Sequence, residues 1–146
     1  MTYFVQREQI KKYLDLEIED NDLFPEDAPS GTSFYELEPE NGIPYVVTIK
    51  HIITLLKKFI HGEIDNNRVR GYVESLIALD LFEFDESDDE GHDAIVNAIF
   101  TVDEIEDVNG EITLDEAKTI LKKITEVSER IEGRTVKSTQ SSANPK

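Results

Sequence analysis

Thr48-Ile-Lys-His-Ile-Ile-Thr-Leu-Leu-Lys-Lys-Phe-Ile-His61 decides the fold. Ile52, Leu55, Leu56, Phe59 and Ile60 recur at helical spacing and form an apolar stripe, while Lys50, Lys57 and Lys58 face water. Gly62 follows as the residue that closes the helix in a left-handed conformation. Just upstream, Tyr45-Val-Val-Thr-Ile49 reads two ways. It is a short strand on its β-propensity, or the β-branched first turn of the helix with Pro44 at its start.

The same periodicity extends in both directions. Asp65 or Asn66 caps a second helix running to about Leu81, with Val69, Tyr72, Val73, Leu76 and Ile77 along it. Phe82 and Phe84 close that stripe before an acidic turn, 85–91. A helix from Asp93 to about Ile105 carries Ile95, Val96, Ile99, Phe100 and Val102. Asn109-Gly110 is a turn, and Thr113 with Glu116 three residues on is a capping box opening a last helix from Leu114 to about Ile131. At the other end, Gln6–Ile18 reads as a short helix. Residues 21–45 hold four of the five prolines and read as an irregular loop with at most short extended pieces, pinned by Phe24, Phe34, Tyr35 and Leu37. The segment from Gly133 is polar and aperiodic, and reads as a disordered tail. The expected fold is all-α: a small antiparallel bundle of four to five helices with an irregular N-terminal loop region. One domain spans 1–132, and 133–146 is tail.

Charge narrows the function. Across Gly71–Ala117 the chain has 16 carboxylates and no lysine or arginine, with His92 the only potential cation inside the stretch. Such a run repels itself, so its retention points to use of the field. The whole chain carries a formal charge of −17, which disfavours nucleic acid and anionic membranes as ligands and favours a basic protein. There are no cysteines, which removes disulfides, thiolate metal sites and cysteine nucleophiles. No secretory h-region and no bilayer-length apolar run is visible, so a cytoplasmic protein is expected.

Catalytic patterns are absent at this level: His51, His61 and His92 are scattered and there is no glycine-rich phosphate loop, so no enzyme activity and no cofactor are expected. The strongest metal-like pattern is Ile105–Glu116; the run 85–97 fits worse. The former places Asp107, Asn109 and Glu116 at calcium-loop positions but has Ile105 where the first carboxylate belongs, and an Asn-Gly turn with a capping box explains it better. The residues expected to face a partner are Glu83, Phe84, Asp85, Glu86, Asp88, Asp89, Glu90, Asp93, Asp103, Glu104 and Asp107. Phe84 is the anchor within that charged rim if exposed, whereas Tyr72 and Phe82 belong to the core.

Ile53-Thr-Leu-Leu-Lys-Lys-Phe-Ile-His-Gly-Glu-Ile64 resembles the first-helix pattern of small bacterial colicin-type immunity proteins, in which an amphipathic helix ends in an aromatic, an aliphatic and a Gly-x-Ile/Leu step, here Phe59, Ile60, Gly62 and Ile64. The helix with Tyr72, the acidic turn, the helix near 94–102 and the Ile112–Glu116 step are similar to the rest of that pattern, and the resemblance covers roughly residues 48–131. It implies a non-catalytic inhibitor that fills the basic cleft of a cognate nuclease toxin domain as a monomer or one-to-one complex. Two other readings share features of the chain: a nucleic-acid mimic such as an anti-restriction or anti-CRISPR protein, and a calcium-binding protein with a degenerate loop.

Overall fold

The computed structural model describes residues 2–5, 7–17, 33–37, 45–78 and 82–143. In chain order the elements are β1 (Thr2–Val5), α1 (Arg7–Leu14), β2 (Ser33–Leu37), β3 (Tyr45–Val47), α2 (Ile49–Ile60), α3 (Asn66–Ala78), β4 (Phe82–Phe84), α4 (Asp89–Asn109) and α5 (Leu114–Ala143). The chain is mostly helical, a small all-α bundle with two short parallel strand pairs attached.

Helix α2 buries Ile52, Leu55 and Leu56 and leaves Lys50 and Lys57 exposed. Each such apolar side chain contributes about 1.5–3 kcal/mol when fully buried. The helix stops as its residues dictate. Gly62 lies at φ 75°, its N–H donates to the Phe59 carbonyl and the Glu63 N–H to the Lys58 carbonyl, a two-bond closure that needs a left-handed residue. Asp65 caps α3, its carboxylate accepting from the Arg68 N–H at 2.9 Å. Val69, Tyr72, Val73 and Leu76 then face the same core as Ile95, Ile99 and Val102 of α4 and Ile120 and Ile124 of α5.

The ambiguity at residues 45–49 resolves as a strand followed by a helix cap. β3 pairs in parallel with β4, with Tyr45 opposite Phe82 and Val47 opposite Phe84. Phe82 and Phe84 therefore form a strand rather than the end of a helical stripe, and both pack against the core half-buried. Residues 79–81, where the second helix was expected to end, lie outside the described residues. Within the proline-rich segment, Ser33–Leu37 is an extended piece paired with β1; the rest, and the side chains expected to pin it, lie outside the described residues.

Helix α1 is shorter than its apolar spacing suggests. It ends at Leu14, where Leu16 adopts φ 61° and the Leu16 and Glu17 N–H groups close back on Tyr13 and Lys12. Tyr13 and Leu14 are fully buried. The Tyr72 hydroxyl donates to the Leu14 carbonyl at 2.7 Å and the Tyr13 and Tyr72 rings stack at 5.6 Å, tying α1 to α3. Burial, more than any neighbouring charge, pushes the Tyr72 phenol well above its ordinary range.

Helices α4 and α5 form an antiparallel hairpin across residues 110–113. Gly110, at φ 84°, closes α4 by donating to the Glu106 carbonyl, and Thr113 with Glu116 forms the expected capping box. Helix α4 begins four residues before Asp93 and runs four past Ile105, because Asp88 caps it and half of the supposed acidic turn is its first turn. Helix α5 continues through Gly133 to Ala143, so eleven residues of the segment read as disordered are helical. Arg130 and Arg134 on this helix reach back to Glu90 and Asp88 and carry the helix past Ile131.

Candidate functional site

The expected acidic surface divides into two parts with different surroundings. The first is the β4–α4 corner. Asp85 accepts from the Ser87 N–H at 3.0 Å, and Asp88 accepts from the Gly91 N–H at 2.8 Å. Arg130 contacts Glu90 at 2.7 Å, and Arg134 contacts Glu90 at 3.0 Å and Asp88 at 3.1 Å. Hydrogen bonds from Arg130 and then Arg134 hold the Glu90 carboxyl below its ordinary range. Gly91 is buried here because the helices approach closely; a Cβ at that position would lie 2.9 Å from Ile131 Cδ1. Asp88 and Glu90 thus serve the α4–α5 hairpin, with cations supplied from outside the lysine- and arginine-free stretch. Glu83, Glu86 and Asp89 are exposed at the same corner. Phe84, the expected anchor, packs inward with Val47 as its strand partner.

The second part is the outer face of α4. Asp93, Asn97, Phe100, Glu104 and Asp107 recur at alternating steps of four and three, so they lie in one row along the helix, and all five are exposed. Phe100 stands at the centre of the row, 47% exposed. Counted among apolar helix residues in the sequence, it instead lies opposite the buried row Ile95, Ile99 and Val102. Glu104, Glu106 and Asp107 crowd the last turns of α4, which holds no base there, so the helix dipole opposes them. The row therefore costs stability locally as well as through mutual repulsion.

Beside the row, α3 and α4 enclose a cleft of about 260 Å³ lined by Arg70, Glu74, Asp103, Glu106 and Asp107. Glu106 falls on the buried side of α4 and is 6% exposed. Its Oε2 is buried with no hydrogen-bond partner. Burial is the main cause that pushes the Glu106 carboxyl up to about 7; the Arg70 guanidinium opposes the shift, and Glu74 and Asp103 add to it. Glu106 was not among the expected site residues. The signal for it lies in the spacing 95, 99, 102, 106, which puts a carboxylate where the core stripe calls for an apolar side chain.

The calcium-loop positions are spread over two helices. Asp107 and Asn109 belong to α4, and the Glu116 Oε1 accepts from the Thr113 N–H and hydroxyl at 2.9 Å each. The Ile112 N–H is taken by Asn66 Oδ1. Among the described residues no three acidic or histidine side chains stand close enough to share a metal ion. His51 is half-buried: its Nδ1 accepts from the Thr48 N–H at 2.9 Å, and its Nε2 faces Asp15 at 3.4 Å. Burial lowers its pKa, with Asp15 opposing. Among the described residues no helix is long and apolar enough to cross a membrane.

No family model, curated protein or solved structure matches this chain.

Proposed function

We propose that this chain is a non-catalytic binding protein that neutralises a basic partner, and that the partner is a nuclease toxin domain whose active-site cleft the acidic face of α4 occludes. The observation that carries this reading is Phe100, exposed at the centre of a row of Asp93, Glu104 and Asp107. Protein interfaces pair a desolvated aromatic anchor with a charged rim, the anchor governing dissociation and the rim governing encounter. A nucleic-acid mimic needs the carboxylates but gains nothing from a phenyl ring in their midst, which favours a protein partner. The face also lies where charge is energetically unwelcome, at a helix C-terminus and without neighbouring lysine or arginine on α4. The resemblance of residues 48–131 to immunity proteins agrees with this reading, and a cytoplasmic one-to-one complex follows from it.

The proposal expects a neighbouring gene to encode a toxin with a basic nuclease domain, and the test is inhibition of that domain. Stoichiometric protein abolishes nucleic-acid cleavage, Phe100→Ala weakens inhibition by roughly tenfold or more through faster dissociation, and Phe84→Leu leaves it unchanged. A nuclease that cleaves at its full rate in excess protein contradicts the proposal.

A further inference from the structure

Glu106 is a carboxyl buried on the wall of a polar cleft, and no protein group donates to its Oε2. An unmet buried acceptor costs on the order of 1–3 kcal/mol, so a fold that keeps one gains from a donor that arrives later. The groups facing it come from both helices that form the cleft: Arg70 and Glu74 from α3, Asp103 from α4, with Asp107 at the lining. Four carboxyls stand against one guanidinium, so the cleft is short of positive charge and of hydrogen-bond donors.

We infer that the cleft between α3 and α4 binds a primary ammonium group, the end of a lysine side chain from the basic partner, with Glu106 as its acceptor and Glu74, Asp103 and Asp107 supplying the negative field around it. A compact ammonium is a point charge whose three donors rotate to find an acceptor, and it needs no set of carboxylates converging on one centre. A guanidinium is planar and forked, and the cleft already holds one in Arg70. A divalent ion needs acids drawn together on a single centre, and the described residues form no such group. The inference deepens the proposed function and rests on it for the identity of the partner, though not for the chemistry of the cleft.

Binding is linked to a proton. Because burial holds the Glu106 carboxyl at about 7, close to half of it is protonated at neutral pH. An ammonium prefers the carboxylate, so its arrival expels that proton, and binding tightens about tenfold between about pH 6 and about pH 8.

The probe is n-butylammonium, followed by the Glu106 side-chain carboxyl resonance of the full chain labelled at glutamate. The expected result is saturable binding with a lowered Glu106 titration midpoint. Tetramethylammonium, which has the charge but no N–H donor, leaves the midpoint where an equal concentration of sodium chloride does. Glu106→Gln removes binding and its pH dependence. Glu74→Gln weakens binding while Glu106 still titrates, and Asp89→Asn, at the far end of α4, changes neither. Equal effects of butylammonium and tetramethylammonium overturn the inference, as does tighter binding of n-propylguanidinium or of calcium. No partner is present in this titration, so its failure leaves the α4 face standing as a docking surface. Failure of nuclease inhibition would in turn leave the ammonium site standing.

Discussion

Glu106 occupies a core position on α4 and has the stability signature such a residue must have. Its folded-state pKa of about 7 lies above the ordinary value of 4.5, so the folded chain holds the proton more tightly than the unfolded chain. Its contribution is therefore fully present below about pH 4.5 and is lost as pH rises through about 7. Glu106→Gln removes this dependence. Urea denaturation should show the variant more stable than the parent above about pH 7, on the order of 1–3 kcal/mol, with the difference vanishing near pH 4. An unchanged pH profile would show that Glu106 is not the group responsible. Tyr72 gives a contrasting case, a buried polar group that is satisfied. Tyr72→Phe leaves the Leu14 carbonyl without its donor and should lower stability by about 1–2 kcal/mol in the same assay. The sequence spacing alone identifies Tyr72 as core, but nothing in it reveals that the hydroxyl closes on a carbonyl 58 positions away.

At the scale of elements, the helices whose ends carry strong local signals were legible and those stopped by tertiary contacts were not. Gly62, Asp65, Gly110 and Thr113 mark the ends of α2, α3, α4 and α5 through their own conformational preferences. Helix α1 ends with the same closure as α2, but around Leu16, a residue that pays a left-handed penalty and so gives no warning. The pairing of β3 with β4 joins residues more than thirty positions apart and has no local signature beyond β-propensity. The start of α4 was hidden by its acids: Asp88, Asp89 and Glu90 look like a charged turn until Asp88 is seen as a cap for a helix whose dipole welcomes the two that follow. Asp88→Ala should therefore destabilise the fold by about 1–2 kcal/mol, since it removes the cap as well as a contact for Arg134. Charge reversal at Asp88 and Glu90 would damage the hairpin and so cannot report on partner binding alone. An Asp88→Ala variant as stable as the parent would mean that the corner is held by Gly91 against Ile131 and not by its hydrogen bonds.

For the whole molecule, charge and packing are separated. The apolar stripes of five helices meet in one core, and the carboxylates between Gly71 and Ala117 are sorted by where their helices turn them. Composition shows that this charge exists and periodicity predicts the bundle. Which acids are spent internally depends on Arg130 and Arg134 arriving from a helix forty residues later, and that is invisible before α5 is folded back. The exposure of Phe100 was available from its place in the 93, 97, 100, 104, 107 row, yet hydrophobicity counted it as core. The account rests on that row acting as an electrostatic rim about an aromatic anchor. The most direct measurement is the association rate constant with the basic nuclease domain that the proposal expects a neighbouring gene to encode, taken at low and high salt for the parent and for a Glu104→Lys, Asp107→Lys double variant. The account predicts association slowed roughly tenfold or more at low salt, with the gap closing as salt screens the field and the helical spectrum unchanged. An association rate equal to that of the parent at low salt would contradict it.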